Sequence, residues 1–127
     1  MDQQQLDGLF DDWNEVYKKG QLTFWILLSI YDGKKYAAQI DEFVIDVTNG
    51  AFSVKEQSLY RALRRFSDMN LVDITKEDSP NGGPQRNYFR LSTDGIRLLQ
   101  KFVSVHIVPI RDQQVETLLI KLNKETT

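Results

Sequence analysis

Four cations, Lys55, Arg61, Arg64 and Arg65, crowd into residues 55–65 against a single acid, Glu56, and Gln57, Ser58 and Tyr60 stand among them. A guanidinium is a rigid fork of donors that matches phosphate oxygens or the edge of guanine, and a glutamine amide matches adenine. A second set, Arg86, Arg90 and Arg97, is opposed only by Asp94, and Lys34 and Lys35 form a third pair. The chemistry on offer is recognition of a polyanion. Catalysis has far less to work with. One histidine and no cysteine exclude thiol nucleophiles, zinc ribbons and disulfides, and leave a histidine-based triad or metal centre without members. No paired catalytic carboxylates stand out, and Gly82-Gly83 lies between strand-like segments rather than between a strand and a helix, so it fails as a phosphate loop. Asp11, Asp12 and Glu15 read as the acidic face of a helix rather than a cation site. The expectation is a protein that is not an enzyme and needs neither cofactor nor metal.

The whole-chain charge of −2 and pI near 5.4 conceal this distribution. Residues 1–15 carry Asp2, Asp7, Asp11, Asp12 and Glu15 without a cation, a local −5 that leaves +3 for residues 16–127. Local potential, not the sum, steers a polyanion. A length of 127 residues with 41% hydrophobic content fits one domain. No stretch nears the ~18 apolar residues of a membrane span, and the uncharged, glutamine-rich start after Asp2 does not read as a signal peptide. A cytoplasmic protein without a membrane partner is expected.

These side chains need elements to position them. Leu6, Leu9, Phe10, Trp13, Val16 and Tyr17 recur at three- and four-residue spacing, one face of an amphipathic helix that Gly20 is expected to interrupt. Residues 22–31 are almost wholly apolar and predict a buried helix ended by Asp32-Gly33. The next helix is expected over 35–47, with Tyr36, Ala37, Ile40, Phe43, Val44 and Val47 inward, closed by Asn49-Gly50. Ser53 with Glu56 reads as a capping box for a third helix, buried on Leu59, Leu63 and Phe66 and stopped at Asn70. Residues 71–75 and 87–91 predict two strands around the turn-rich segment 78–84, a β-hairpin. Ser92 or Thr93 then caps a helical region that Pro109 is expected to kink or break.

Three helices, a hairpin and a further helix make the plan of a winged helix-turn-helix, mainly α with a small β-hairpin, here with additional N- and C-terminal helices. In that plan the third helix enters the DNA major groove and the wing lies on the backbone beside it. Gln57, Ser58, Arg61 and Arg65 oppose the buried stripe of that helix, free to reach base edges and phosphates. Solvated helix faces also carry cations, but here charge placement and topology agree independently.

Gly20-Gln21-Leu22 with Ile26-Leu27-Leu28, Tyr36 and Ile40, the run Ser58 to Phe66, and the run Gly82 to Ser92 with Gly95 beyond it together resemble the PadR-like transcriptional regulators. The likeness spans roughly residues 18–102. Two positions depart from the family pattern: Arg61 stands where proline is usual, and Lys35 where glycine is usual, each adding a cation. The resemblance implies a dimeric repressor binding double-stranded DNA, often under a small hydrophobic or aromatic effector. It also favours Tyr60 as a phosphate contact. The expected DNA-binding residues are Lys34, Lys35, Lys55, Gln57, Ser58, Tyr60, Arg61, Arg64, Arg65, Arg86 and Arg90. The expected organisation is an acidic helical segment at 1–18, the winged domain at 19–92 and a dimerising helical region at 93–127. The apolar stripe over 96–122 supports a homodimer through the C-terminal helices, with the N-terminal helix as a second surface. Trp13 and Trp25 read as core or interface aromatics, and His106 as a packed or partly exposed residue rather than a pH switch. The rival reading is a winged-helix protein–protein interaction module without DNA binding, its acidic N-terminal segment docking a basic partner, mimicking DNA or folding over the positive face.

Overall fold

Asp2 starts the first helix. Its carboxylate accepts from the Gln5 backbone N–H at 2.8 Å while the Gln5 side chain accepts from the Asp2 N–H at 3.0 Å, a reciprocal cap. The resulting helix α1 (Gln3–Tyr31) runs through Gly20 without interruption. A single glycine costs only about 1 kcal/mol in a helix interior, less than the neighbouring turns and the buried second half supply. The computed structural model describes residues 1–125. Its core gathers Phe24, Leu27 and Ile30 of α1, Ile40 and Val44 of α2 (Ala37–Val47), and Leu59, Leu63 and Phe66 of α3 (Glu56–Asp68).

The second helix begins two residues later than its apolar pattern suggests, and Val47, expected inside, is exposed. The reason is tertiary. Lys35 forms an antiparallel bridge with Phe89, through Lys35 N–H to Phe89 O at 3.1 Å and Phe89 N–H to Lys35 O at 2.9 Å. Residues 34–36 are thus held extended along the hairpin edge, and Tyr36 becomes the N-cap. Asn49 and Gly50 close α2 with φ of 52° and 80°, and Asn70 closes α3 with φ of 61°, as their left-handed tolerance predicts. The expected Ser53–Glu56 box does not form. Ser53 Oγ instead donates to Asp41 at 3.2 Å, the Val54 N–H donates to the same carboxylate at 2.8 Å, and Lys55 is the N-cap of α3.

Strands β1 (Val72–Glu77) and β2 (Arg86–Leu91) pair antiparallel, with Val72 opposite Leu91, Ile74 opposite Phe89, Lys76 opposite Asn87 and Glu77 opposite Arg86. Alternation along the strands puts Val72, Ile74, Lys76, Asn87, Phe89 and Leu91 on one face. That face turns toward the core and α3. Ser92 caps α4 (Thr93–Phe102), its Oγ accepting from the Gly95 N–H at 3.0 Å. Beyond it the helical path is broken rather than kinked. Residues 103–107 form a π-helical turn, 108–111 a 3₁₀ turn containing Pro109, and Asp112 then caps α5 (Gln113–Asn123). Proline's missing N–H fits the start of a turn, so the chain restarts there.

Candidate nucleic-acid interface

Helix α3 carries the first part of the site. Leu59, Leu63 and Phe66 are buried, and a 100° step per residue puts Gln57, Arg61 and Arg64 on the side directly opposite, with Tyr60 on one flank and Ser58 and Arg65 on the other. All six are exposed. Lys55, at the N-cap, is exposed as well. The Arg65 guanidinium lies 5.2 Å from the Phe66 ring centre, anchored over its own helix.

The hairpin supplies the second part. Gln57, Arg61 and Arg64 face Ile74, Asn87 and Phe89 across an open furrow of about 540 Å³ between α3 and the wing. Tyr60 borders it, and the furrow continues past Lys76, Gln85, Arg86 and Asn87 toward the start of α2. Lys76, Gln85 and Asn87 were not among the residues singled out in the sequence. Strand alternation carries the signal for two of them: Lys76 and Asn87 share parity with Ile74 and Phe89, so they must project to the α3 side.

The same alternation puts Arg86 and Arg90 together on the hairpin's other face, but their positions along the strand give them different surroundings. Arg86, at the start of β2, stacks its guanidinium 4.3 Å above the Tyr36 ring and still borders the furrow. Arg90 sits opposite Asp73, close enough to Glu77 to attract its charge, and borders none of the furrow described above. Lys34 is its neighbour there. The Lys34 ammonium pairs with Glu77 and lies 5.3 Å from the Tyr88 ring centre, which itself meets Tyr36 edge-on at 5.6 Å. The hydrogen bond from Lys34, with a second from the Thr75 hydroxyl, holds the Glu77 carboxyl below the usual glutamate range. Lys35 points the other way, inward, donating to the Ser29 carbonyl with its ammonium 5.6 Å from the Phe43 ring centre. Lys34, through its side chain, and Lys35, through its backbone bridge to Phe89, therefore tie the wing to the α1–α2 turn, and Arg90 stays exposed beside them. The structure brings together the α3 residues and Arg86, and leaves these three outside that surface.

The remaining candidates fall into place. Trp25 is half-buried against Phe24, with its indole N–H donating to Gln21 at 3.0 Å. Trp13 is 73% exposed on the free half of α1. His106 is exposed and rests on Phe102, ring centres 4.9 Å apart. Because α1 is one helix, its acidic half cannot fold back over the positive face without breaking α1. Among the described residues no helix is long and apolar enough to cross a membrane.

The model of the transcriptional regulator PadR-like family matches residues 26–101, which hold α2, α3, the whole wing and nearly all of α4. The chain belongs to the PadR-like family of transcriptional regulators. Its fold is similar to that of a PadR family transcriptional regulator from Eggerthella lenta, at 17% identity and a TM-score of 0.67 over 91% of this chain and 96% of that one. A PadR-like transcriptional regulator from Bacillus cereus is similar at 25% identity and a TM-score of 0.61, over 85% and 96% of the two chains. Bacillus subtilis PadR, solved in complex with operator DNA, is similar at 16% identity and a TM-score of 0.58, over 65% of this chain and 46% of that one. The mainly helical winged fold read from the sequence is the fold of the PadR-like regulators.

Proposed function

We propose that this member of the PadR-like family is a homodimeric repressor that binds double-stranded DNA in a sequence-specific manner. The observation that carries the reading is the shared furrow: Gln57, Arg61 and Arg64 of α3 face the wing across open space, exposed and free of intramolecular ion pairs among the described residues. In this reading Gln57, Arg61 and Arg64 meet base edges in the major groove. Lys55, Ser58, Tyr60 and Arg65 flank them on phosphates, and Arg86 adds a contact from the wing. That Bacillus subtilis PadR is solved with operator DNA supports the assignment by analogy.

The dimer in this proposal rests on apolar surface that one chain leaves uncovered. Leu6, Leu9, Phe10, Trp13, Val16 and Tyr17 of α1 are all at least half exposed, as are Leu118 and Leu122 of α5. The acid-rich free half of α1 also complements a C-terminal region that is slightly basic, with Arg97, Lys101, Arg111, Lys121 and Lys124 against Asp94, Asp112, Glu116 and Glu125. Two-fold pairing through these helices would present two copies of α3 to one duplex. Control by a small hydrophobic or aromatic effector belongs to the same proposal, with the apolar seam between subunits as the surface it would enter.

Selection of duplexes from a random pool by the purified protein tests the reading. A two-fold symmetric site with half-sites roughly 10 base pairs apart is expected. With about three to four phosphate contacts per half, log affinity falls against log salt with a slope of roughly −5 to −7. No enrichment, or binding indifferent to salt, refutes DNA recognition and leaves the protein-interaction module, for which the exposed acidic arm speaks.

A further inference from the structure

The furrow between α3 and the wing is built from two kinds of surface. Its floor is apolar: Ile74 is 42% exposed there, beside Phe89 and the ring of Tyr60, itself 43% exposed. Its wing-side rim is made of donors, the Lys76 ammonium and the Asn87 amide, held directly opposite each other by the strand register. Two carboxylates, Asp41 and Glu56, border the α2 end of the continuing furrow, so an anion is favoured at the Lys76–Asn87 end. The polar groups that would meet a base edge, Gln57, Arg61 and Arg64, stand on the α3 wall and not on this floor, and a free phosphate ion would leave the floor unused. A DNA strand presents the matching alternation, with an apolar face of deoxyribose between successive phosphates.

Resting on the DNA-binding reading above, we propose that this furrow seats one sugar–phosphate step of the bound duplex, with Lys76 and Asn87 donating to its phosphate and Ile74 and Tyr60 packed on its deoxyribose. The contact fixes the register of α3 in the major groove without reading sequence. Strand parity then sorts most of the hairpin: the Ile74–Lys76–Asn87 side serves DNA, while on the other side Lys34 and Glu77 hold the wing in place and Arg86, at the tip end, alone still borders the furrow.

The test uses the full-length protein and its selected duplex, with each backbone phosphate near a half-site replaced in turn by a neutral methylphosphonate. The wild-type protein is expected to lose about tenfold in affinity at one phosphate per half-site through this contact. Lys76→Gln should bind the unmodified duplex about tenfold more weakly, lose equally on a scrambled duplex, and lose clearly less than wild type to the methylphosphonate at that one position, where only Asn87 still donates. Its salt slope should be shallower by about 0.9 per half-site. Asn87→Asp, which aims a carboxylate at the same phosphate, should weaken binding more than Asn87→Ala. Thermal melting of each variant confirms folding. If wild-type protein binds no duplex, the DNA-binding reading itself fails. If it binds and Lys76→Gln leaves affinity and slope unchanged, only the furrow assignment falls. A loss in Lys76→Gln with an unaltered methylphosphonate profile also overturns it, since that is the signature of a distant charge.

Discussion

Gly95 lies in the first turn of α4, buried where that helix meets the base of the wing. A Cβ built on it meets the Leu71 carbonyl oxygen at 2.2 Å and the Leu91 Cδ1 and Cγ at 2.5 and 2.9 Å. The carbonyl cannot swing aside cheaply, because it accepts the Ser92 N–H at 3.0 Å, and the Asn70 carbonyl next to it accepts the Ser92 hydroxyl at 2.7 Å. Leu91 is buried in the core and has little room for another rotamer. Relief of the clash therefore needs about 1 Å of backbone movement between α4 and β1, within the range of overpacking that costs about 1–3 kcal/mol or more. Alanine's helix preference offsets at most about 1 kcal/mol of this. Gly95→Ala is expected to lose about 2 kcal/mol net, seen in urea titrations at fixed protein concentration as a midpoint lower by roughly 1 M for an m-value near 2 kcal/mol/M. Gly8→Ala, with nothing within 4 Å of the added carbon, should leave the midpoint unchanged or raise it. A Gly95→Ala midpoint equal to or above wild type would refute the close seating of α4 on the wing.

Three further substitutions probe other joints. Asp41→Ala removes the acceptor of the Val54 N–H and the Ser53 hydroxyl, and should cost about 1–3 kcal/mol in urea unfolding, with Asp41→Asn recovering part of the loss; an unchanged midpoint would show that the α2–α3 turn stands without it. Glu77→Gln removes a carboxylate whose pKa is depressed in the folded protein by Lys34 and Thr75, so wild type should melt above the variant at neutral pH. That difference should fade as pH falls through the lowered pKa, below the ordinary glutamate range, and a difference that persists in acid would exclude the ion pair as its source. Arg61→Ala should cost about 1–3 kcal/mol on the selected duplex and less on a scrambled one, whereas Arg86→Ala should weaken both alike. Equal losses from both changes on both duplexes would refute that division between base reading and phosphate gripping.

Local rules carried the sequence a long way where local chemistry decides the outcome. The left-handed residues at Asn49, Gly50 and Asn70, the turn-rich hairpin tip and the Ser92 cap are set by neighbours in the chain, and each is legible from a few residues. The buried stripe of α3 identifies Gln57 and Arg61 as outward for the same reason. Features set by distant partners were not legible in this way. Ser53 has the spacing of a cap yet bonds to Asp41, a residue from the preceding helix. Lys35 has the pattern of a helical residue yet is held extended by Phe89, far along the chain. Lys76 and Asn87 hide for a different reason. Neither belongs to an arginine cluster, and their relevance appears only when β1 and β2 are put in register.

The continuity of α1 ties the two ends of the proposed mechanism together. At 1.5 Å per residue a 29-residue helix is about 43 Å long, and its two halves have opposite environments. The second half is built into the winged domain through Phe24, Leu27 and Ile30, while the first half leaves its apolar stripe uncovered. A break at Gly20 would have let the arm move independently of the DNA-facing surface. Without one, whatever covers Leu6, Phe10 and Trp13 also fixes the direction of the helix on which α2, α3 and the wing are packed. In a dimer joined through these arms, the separation of the two α3 helices is then a property of the subunit seam. A ligand entering that seam needs no contact with Arg61 or Arg64 to alter DNA affinity; it need only favour one packing of the arms over another.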